Sequence, residues 1–176
     1  MLRDRYCTAI PFTRFVQDAE ANREMWQVME RRARVPEELL DRVRELPGKL
    51  YLLVLVEDWC GDAVNTVPPI AALAQAAPNL ELRVLARDTN ADLMDAHLTH
   101  GSRSIPMVIV LDEEFEEIGW WGPRPTELQA WVRSEGAPMP KEERYKEVRR
   151  WYARDRGEST LREIIELLEA AACVAC

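Results

Sequence analysis

The segment "LYLLVLV", Leu50 to Val56, constrains this chain more than any other. A continuous run rich in leucine and valine suits a central strand buried on both faces. Behind it, residues 64–77 place Val67, Ile70, Leu73 and Ala74 at helical spacing, with Pro78 as the stop and Pro68-Pro69 predicting a kink near the start. "LELRVLARD" then alternates Leu80, Leu82, Val84 and Ala86 against polar neighbours and reads as a second strand. Strand, helix and strand in so short a stretch imply a right-handed parallel crossover, and so an α/β fold.

The remaining elements fit around that unit. Residues 90–100 read as a short helix with Gly101 as its cap, and "MVIVLDEEFEEIGWWG" as an antiparallel hairpin joined at "DEE". Thr126 with Gln129 forms a capping box for a helix that Gly136 closes. Ahead of the core, residues 12–34 read as one amphipathic helix, and "EELLDRVREL" as a second that ends at Pro47-Gly48. After the linker "APMP" come two more, the last capped by Thr160 with Glu163 and striped by Leu161, Ile164, Ile165 and Leu168. With 176 residues and 47% hydrophobic content, one domain is expected, made of an N-terminal helical extension (1–49), a core (50–136) and a C-terminal helical extension (137–176). The terminal stripes pack either on that core or on a second copy, so a homodimer through the terminal helices is one expected arrangement.

A formal charge of −8 and a pI near 5.0 set aside nucleic acid and anionic membrane surfaces as partners. Leu50 to Val56 is far too short to span a bilayer, and "MLRDRYCTAIPF" carries no secretory apolar region, so a cytoplasmic location is expected. Cys7, Cys60, Cys173 and Cys176 are too sparse for a disulfide framework and read as individual thiols. Only His97 and His100 could join them at a metal, and neither lies in a Cys-x-x-Cys context, so no metal site is expected. Those histidines read as surface or packing residues, and Cys7 as structural or incidental.

Chemistry concentrates in "EDWCGDAVNTVPP". Cys60 stands where the strand gives way to the helix, facing unsatisfied N–H groups and the positive end of the macrodipole, both of which favour thiolate. An ordinary cysteine with pKa about 8.5 is only ~3% thiolate at pH 7. The charge of Asp62 opposes the effect, so a modest depression is expected. Glu57 and Asp58 could accept protons but read as a solvated turn. In "SIPMVIV", Pro106 is either a plain strand start or a cis proline that turns the Ile105 backbone toward the Cys60 sulfur, where a substrate chain could pair with it. Trp120, Trp121 and Arg124 in "GWWGPRP" read as core and rim packing, with a groove beside Cys60 as the lesser alternative.

Strand, Trp59-Cys60-Gly61, helix, strand, helix, Ile105-Pro106, a hairpin with Gly119, then helix: this order resembles thioredoxin over residues 50–136. "EDWCGD" and "GWWGPRP" further resemble a bacterial thioredoxin-like branch that carries extra N-terminal helices and usually reads Trp-Cys-Gly-Asp-Cys. The resemblance implies a thioredoxin fold, a central mixed sheet flanked by helices, with Cys60 as attacking thiol, Trp59, Gly61 and Asp62 shaping the site, and Pro106 as cis proline. Two positions depart from it. Ala63 occupies the place of the resolving cysteine, and Val54 that of a buried acid which assists the second thiol.

Three readings of Ala63 remain open. The chain is natively monothiol, with Cys60 disulfides resolved by a small thiol such as glutathione or bacillithiol. Otherwise Cys173 or Cys176 of "CVAC" resolves them, although two inert thiols at the end of an apolar helix is the favoured reading of that stretch. In the third reading Ala63 replaces a cysteine by engineering, to trap complexes or block oxidation. The expected function is thiol–disulfide exchange through Cys60, with protein or small-thiol disulfides as partners and no bound cofactor. A redox-silent module that binds a peptide beside Pro106 is the alternative from another class.

Overall fold

The computed structural model describes residues 2–174. Their order is α1 (Leu2–Thr8), β1 (Ile10–Pro11), α2 (Phe12–Asp18), α3 (Arg23–Arg32), α4 (Glu37–Arg44), β2 (Leu50–Val56), α5 (Gly61–Ala76), β3 (Leu80–Ala86), α6 (Ala91–Ala96), β4 (Met107–Leu111), β5 (Glu117–Trp121), α7 (Thr126–Arg133), α8 (Lys141–Asp155) and α9 (Glu158–Val174). The sheet runs β1-β3-β2-β4-β5.

Both β2 neighbours follow from its apolar sequence. β2 pairs parallel with β3, Val54 beside Val84, and antiparallel with β4, Val54 beside Val108. Every β2 residue except Tyr51 is buried. β4 and β5 form the antiparallel hairpin, with a register shift between Val110 and Leu111. This is the α/β, thioredoxin-like arrangement, a mixed sheet flanked by helices. Pro68 and Pro69 lie inside a single continuous α5 and are both buried.

The sequence-based expectations fail at helix ends and at one sheet edge. The single helix expected over residues 12–34 is two, α2 and α3, separated at residues 19–22, where Asn22 takes a left-handed φ of 53°. The two-residue strand β1 adds an antiparallel edge to β3. Neither capping box forms. Thr126 is already helical, and its backbone N–H donates to Glu163 Oε1 at 2.7 Å, so the end of α7 is satisfied by a carboxylate from α9. The start of α9 is held by Asp155, which accepts from the backbone N–H of Gly157 at 3.1 Å and of Ser159 at 3.2 Å.

One continuous apolar core includes Tyr6, Phe12 and Trp26 from the N-terminal helices, the sheet, and Leu161, Ile164, Ile165 and Leu168 from α9. Arg42 and Glu169 join the two extensions directly, Nε and Nη2 each donating to one carboxylate oxygen at 2.8 Å. Among the described residues, no helix is long and apolar enough to cross a membrane.

Candidate active site

Cys60 occupies the N-cap of α5 in an extended conformation, and its carbonyl accepts the first helical hydrogen bond, from Val64 N–H at 3.1 Å. The residue is 7% exposed. Its thiol donates to the Ile105 carbonyl oxygen at 3.4 Å, and the Ile105–Pro106 peptide is cis. The Ile105 backbone thus faces the sulfur across the start of α5.

The expected lowering of the Cys60 pKa does not occur. Burial is the largest influence and pushes the thiol above the ordinary cysteine range. The N–H groups of Ala63 and Asp62 pull the other way, as the helix start demands, but do not prevail. The dipole argument holds in sign, and desolvation of the thiolate exceeds it.

Asp62 does not point its charge freely at the sulfur. Arg124 clamps it, Nε donating to Oδ1 at 3.0 Å and Nη2 to Oδ2 at 2.5 Å, while the Tyr152 hydroxyl donates to Oδ1 at 2.8 Å. Burial works against the Arg124 charge, yet Asp62 holds the guanidinium above its ordinary pKa. Burial followed by the Asp62 charge pushes the Tyr152 phenol far up, so it stays a donor. Arg124 also lowers the Cys60 pKa, while Asp62 raises it. The pair partly cancels at the thiol.

Glu57 and Asp58 are half-buried at a turn, and both carboxylates also hold backbone N–H groups of other segments. Asp58 accepts the backbone N–H groups of Glu20 and Ala21 at 2.8 and 2.9 Å, and its carbonyl accepts from the buried indole of Trp26 at 2.8 Å. Glu57 accepts from Asp88 N–H at 2.8 Å. Both acids serve as connectors: Asp58 fixes the N-terminal helices to the active-site loop. Trp59 projects into solvent, 51% exposed, with the Arg87 guanidinium 5.0 Å from its ring centroid. Gly61 begins α5 with open space around it, and Ala63 is fully buried at the position where a second thiol would stand.

These elements enclose a cleft of about 540 Å³ with Cys60 among its lining residues. The Ile105 loop and Pro123 line it, as do Met25 of α3 and Arg149 of α8 from the terminal extensions. Trp120 and Trp121 do not line it. Trp121 is buried and donates its indole N–H to Glu163 at 2.7 Å, and Trp120 stacks edge-on against His97. His97 is a buried packing residue, its ring nitrogens facing the Leu93 carbonyl at 2.7 Å and Glu117 at 2.9 Å. Cys7 is exposed on α1, and the side chains of Cys173 and Cys176 lie outside the described residues.

Sequence reasoning missed Tyr152, Arg149 and Trp26 at this site. Trp26 and Tyr152 bond to residues 32 and 90 positions away, so no local pattern announces them.

The sequence matches a family model described as Thioredoxin over residues 9–143. Among solved structures, the chain is similar to a protein of unknown function from Pseudomonas aeruginosa, at 23% identity over 94% of this chain and 95% of that one, with a TM-score of 0.75. It is similar also to an HIV epitope-scaffold protein, at 20% identity over 95% of this chain and 96% of that one, with a TM-score of 0.74. Coverage this complete takes in the terminal helices as well as the sheet. No curated protein matches.

Proposed function

The chain belongs to the thioredoxin family, and on that premise we propose that it performs thiol–disulfide exchange with Cys60 as its single working thiol. The observation that carries this reading is the Cys60 sulfur at the start of α5, 3.4 Å from the Ile105 carbonyl, in a cleft that a substrate can enter. Cys60 loses its proton to solvent and the thiolate attacks one sulfur of a disulfide. A Cys60 mixed disulfide forms, and the departing thiolate takes up a proton. No net oxidation or reduction occurs beyond the exchange of partners.

Release is the distinctive step. Ala63 offers no neighbouring nucleophile, so a second thiol from solution, such as glutathione or bacillithiol, attacks the mixed disulfide. The raised Cys60 pKa makes it a slow leaving group, and exchange rates depend on the leaving thiol in that sense. A slow-forming and long-lived adduct is the outcome.

Exposure of the chain to oxidised glutathione near the ordinary cysteine pKa of about 8.5, followed by peptide-mapped mass spectrometry, tests this. Cys60 takes the adduct, and Cys60→Ser abolishes it. An unmodified Cys60 in a chain whose Cys7 is modified would overturn the reading. That result would favour the second reading, a binding module that uses the same cleft without redox chemistry, which the burial of the thiol and its raised pKa support. Such a module binds its partner equally well as Cys60→Ser.

A further inference from the structure

The cleft around Cys60 has a charge at odds with the molecule that holds it. Its cationic lining side chains are Arg87, Arg103, Arg124 and Arg149, and its one acidic lining side chain is Asp62. The chain as a whole carries −8. Asp62 is fully engaged by Arg124 and Tyr152 and faces the helix start. Arg149, exposed on α8, has no ion pair among the described residues. Arg87 pairs with Asp88 at 2.6 Å and Arg103 with Asp95 at 2.6 Å, but both acids stand outside the cleft lining. Exposed ion pairs of this kind contribute about 0–1 kcal/mol, so an arriving carboxylate can compete for those guanidinium groups.

The shape limits the size of what arrives. Cys60 is recessed, and α3 and α8, drawn from opposite ends of the chain, both contribute to the cleft wall. A volume of about 540 Å³ falls in the range of small-molecule sites, and a sulfur only 7% exposed does not stand out from the surface. Guanidinium groups match carboxylates in a planar, two-pronged geometry.

Resting on the exchange reading above, we infer that the substrate class of this cleft is a small disulfide carrying carboxylates. The Cys60 thiolate attacks one sulfur of that disulfide, the S–S bond breaks, and the released carboxylate-bearing thiolate is protonated from solvent. Arg149 and Arg87 hold carboxylates of the half that stays bound.

Three disulfides of similar length and different charge test this: 3,3′-dithiodipropionate, bis(2-hydroxyethyl) disulfide and cystamine. The full chain is exposed to each at low salt, and the rate of adduct formation is mapped at Cys60 and, as internal reference, at the exposed Cys7. The Cys60-to-Cys7 ratio is highest for the dianion, about tenfold above the dication, as electrostatic steering of this order permits. Added salt narrows that difference, and so do Arg149→Gln and, separately, Arg87→Gln. A ratio independent of charge, or highest for cystamine, would overturn the inference and leave the exchange reading standing. Failure of all three to modify Cys60 while Cys7 reacts would overturn both.

Discussion

Cys60 shows two opposed effects on one sulfur, and their relative size decides how it behaves. The helix start favours thiolate, burial disfavours it, and burial is the larger. The reaction rate of Cys60 with iodoacetamide therefore keeps rising with pH beyond the point where an ordinary thiol of pKa about 8.5 has levelled off. Asp62 and Arg124 give a handle on that curve. Asp62→Asn leaves the Arg124 cation uncompensated beside the sulfur and moves the curve to lower pH; Arg124→Gln leaves the carboxylate uncompensated and moves it higher. At neutral pH each unit of displacement changes the rate of disulfide exchange at Cys60 by roughly threefold, because tenfold more thiolate is offset by a Brønsted slope of about 0.5. Displacement of both variants in the same direction would contradict the assignment.

At the scale of elements, the site depends on one close approach between loops. Gly122 has a φ of 134°, and a Cβ placed there would stand 2.2 Å from the Pro106 carbonyl oxygen. Backbone cannot retreat as a flexible side chain can, so Gly122→Ala displaces the loop that carries Ile105 away from Cys60. A loss of roughly 1–3 kcal/mol of stability in urea denaturation is expected from the backbone conformation alone, with slower adduct formation at Cys60. Unchanged stability and rate would show that the loop has slack. The strand–helix–strand unit was legible in the sequence because its signals are local: a seven-residue apolar run, a helical period and an alternating strand. Cys60 and Pro106 were legible for the same reason. The break at residues 19–22, the carboxylates that satisfy α7 and α9, and the Asp62–Arg124–Tyr152 cluster were not, since each joins residues that only the finished fold brings together. Cysteine at a helix start was visible, but the burial that reverses its pKa was not.

For the whole molecule, the terminal helices are structural partners of the sheet and also shape the site. Leu161, Ile164, Ile165 and Leu168 of α9 share the core with the sheet and the N-terminal helices. Burial of four such side chains contributes about 6–12 kcal/mol, comparable with the roughly 5–15 kcal/mol of a typical whole domain. A chain ending at Gly136 is therefore expected to lose cooperative thermal unfolding by circular dichroism, and a sharp transition retained at similar temperature would contradict this. The central proposal concerns release: a thiol from solution, and not Cys173 or Cys176, resolves a disulfide on Cys60. The direct measurement is the lifetime of a preformed Cys60 mixed disulfide, followed by peptide-mapped mass spectrometry without added thiol, in the chain with Ala63 and in Ala63→Cys. The adduct persists in the former until a small thiol is supplied, and in the latter it is lost as Cys60 bonds to the new neighbour. Spontaneous loss from the chain with Ala63, with Cys60 bonded to Cys173 or Cys176, would contradict the account.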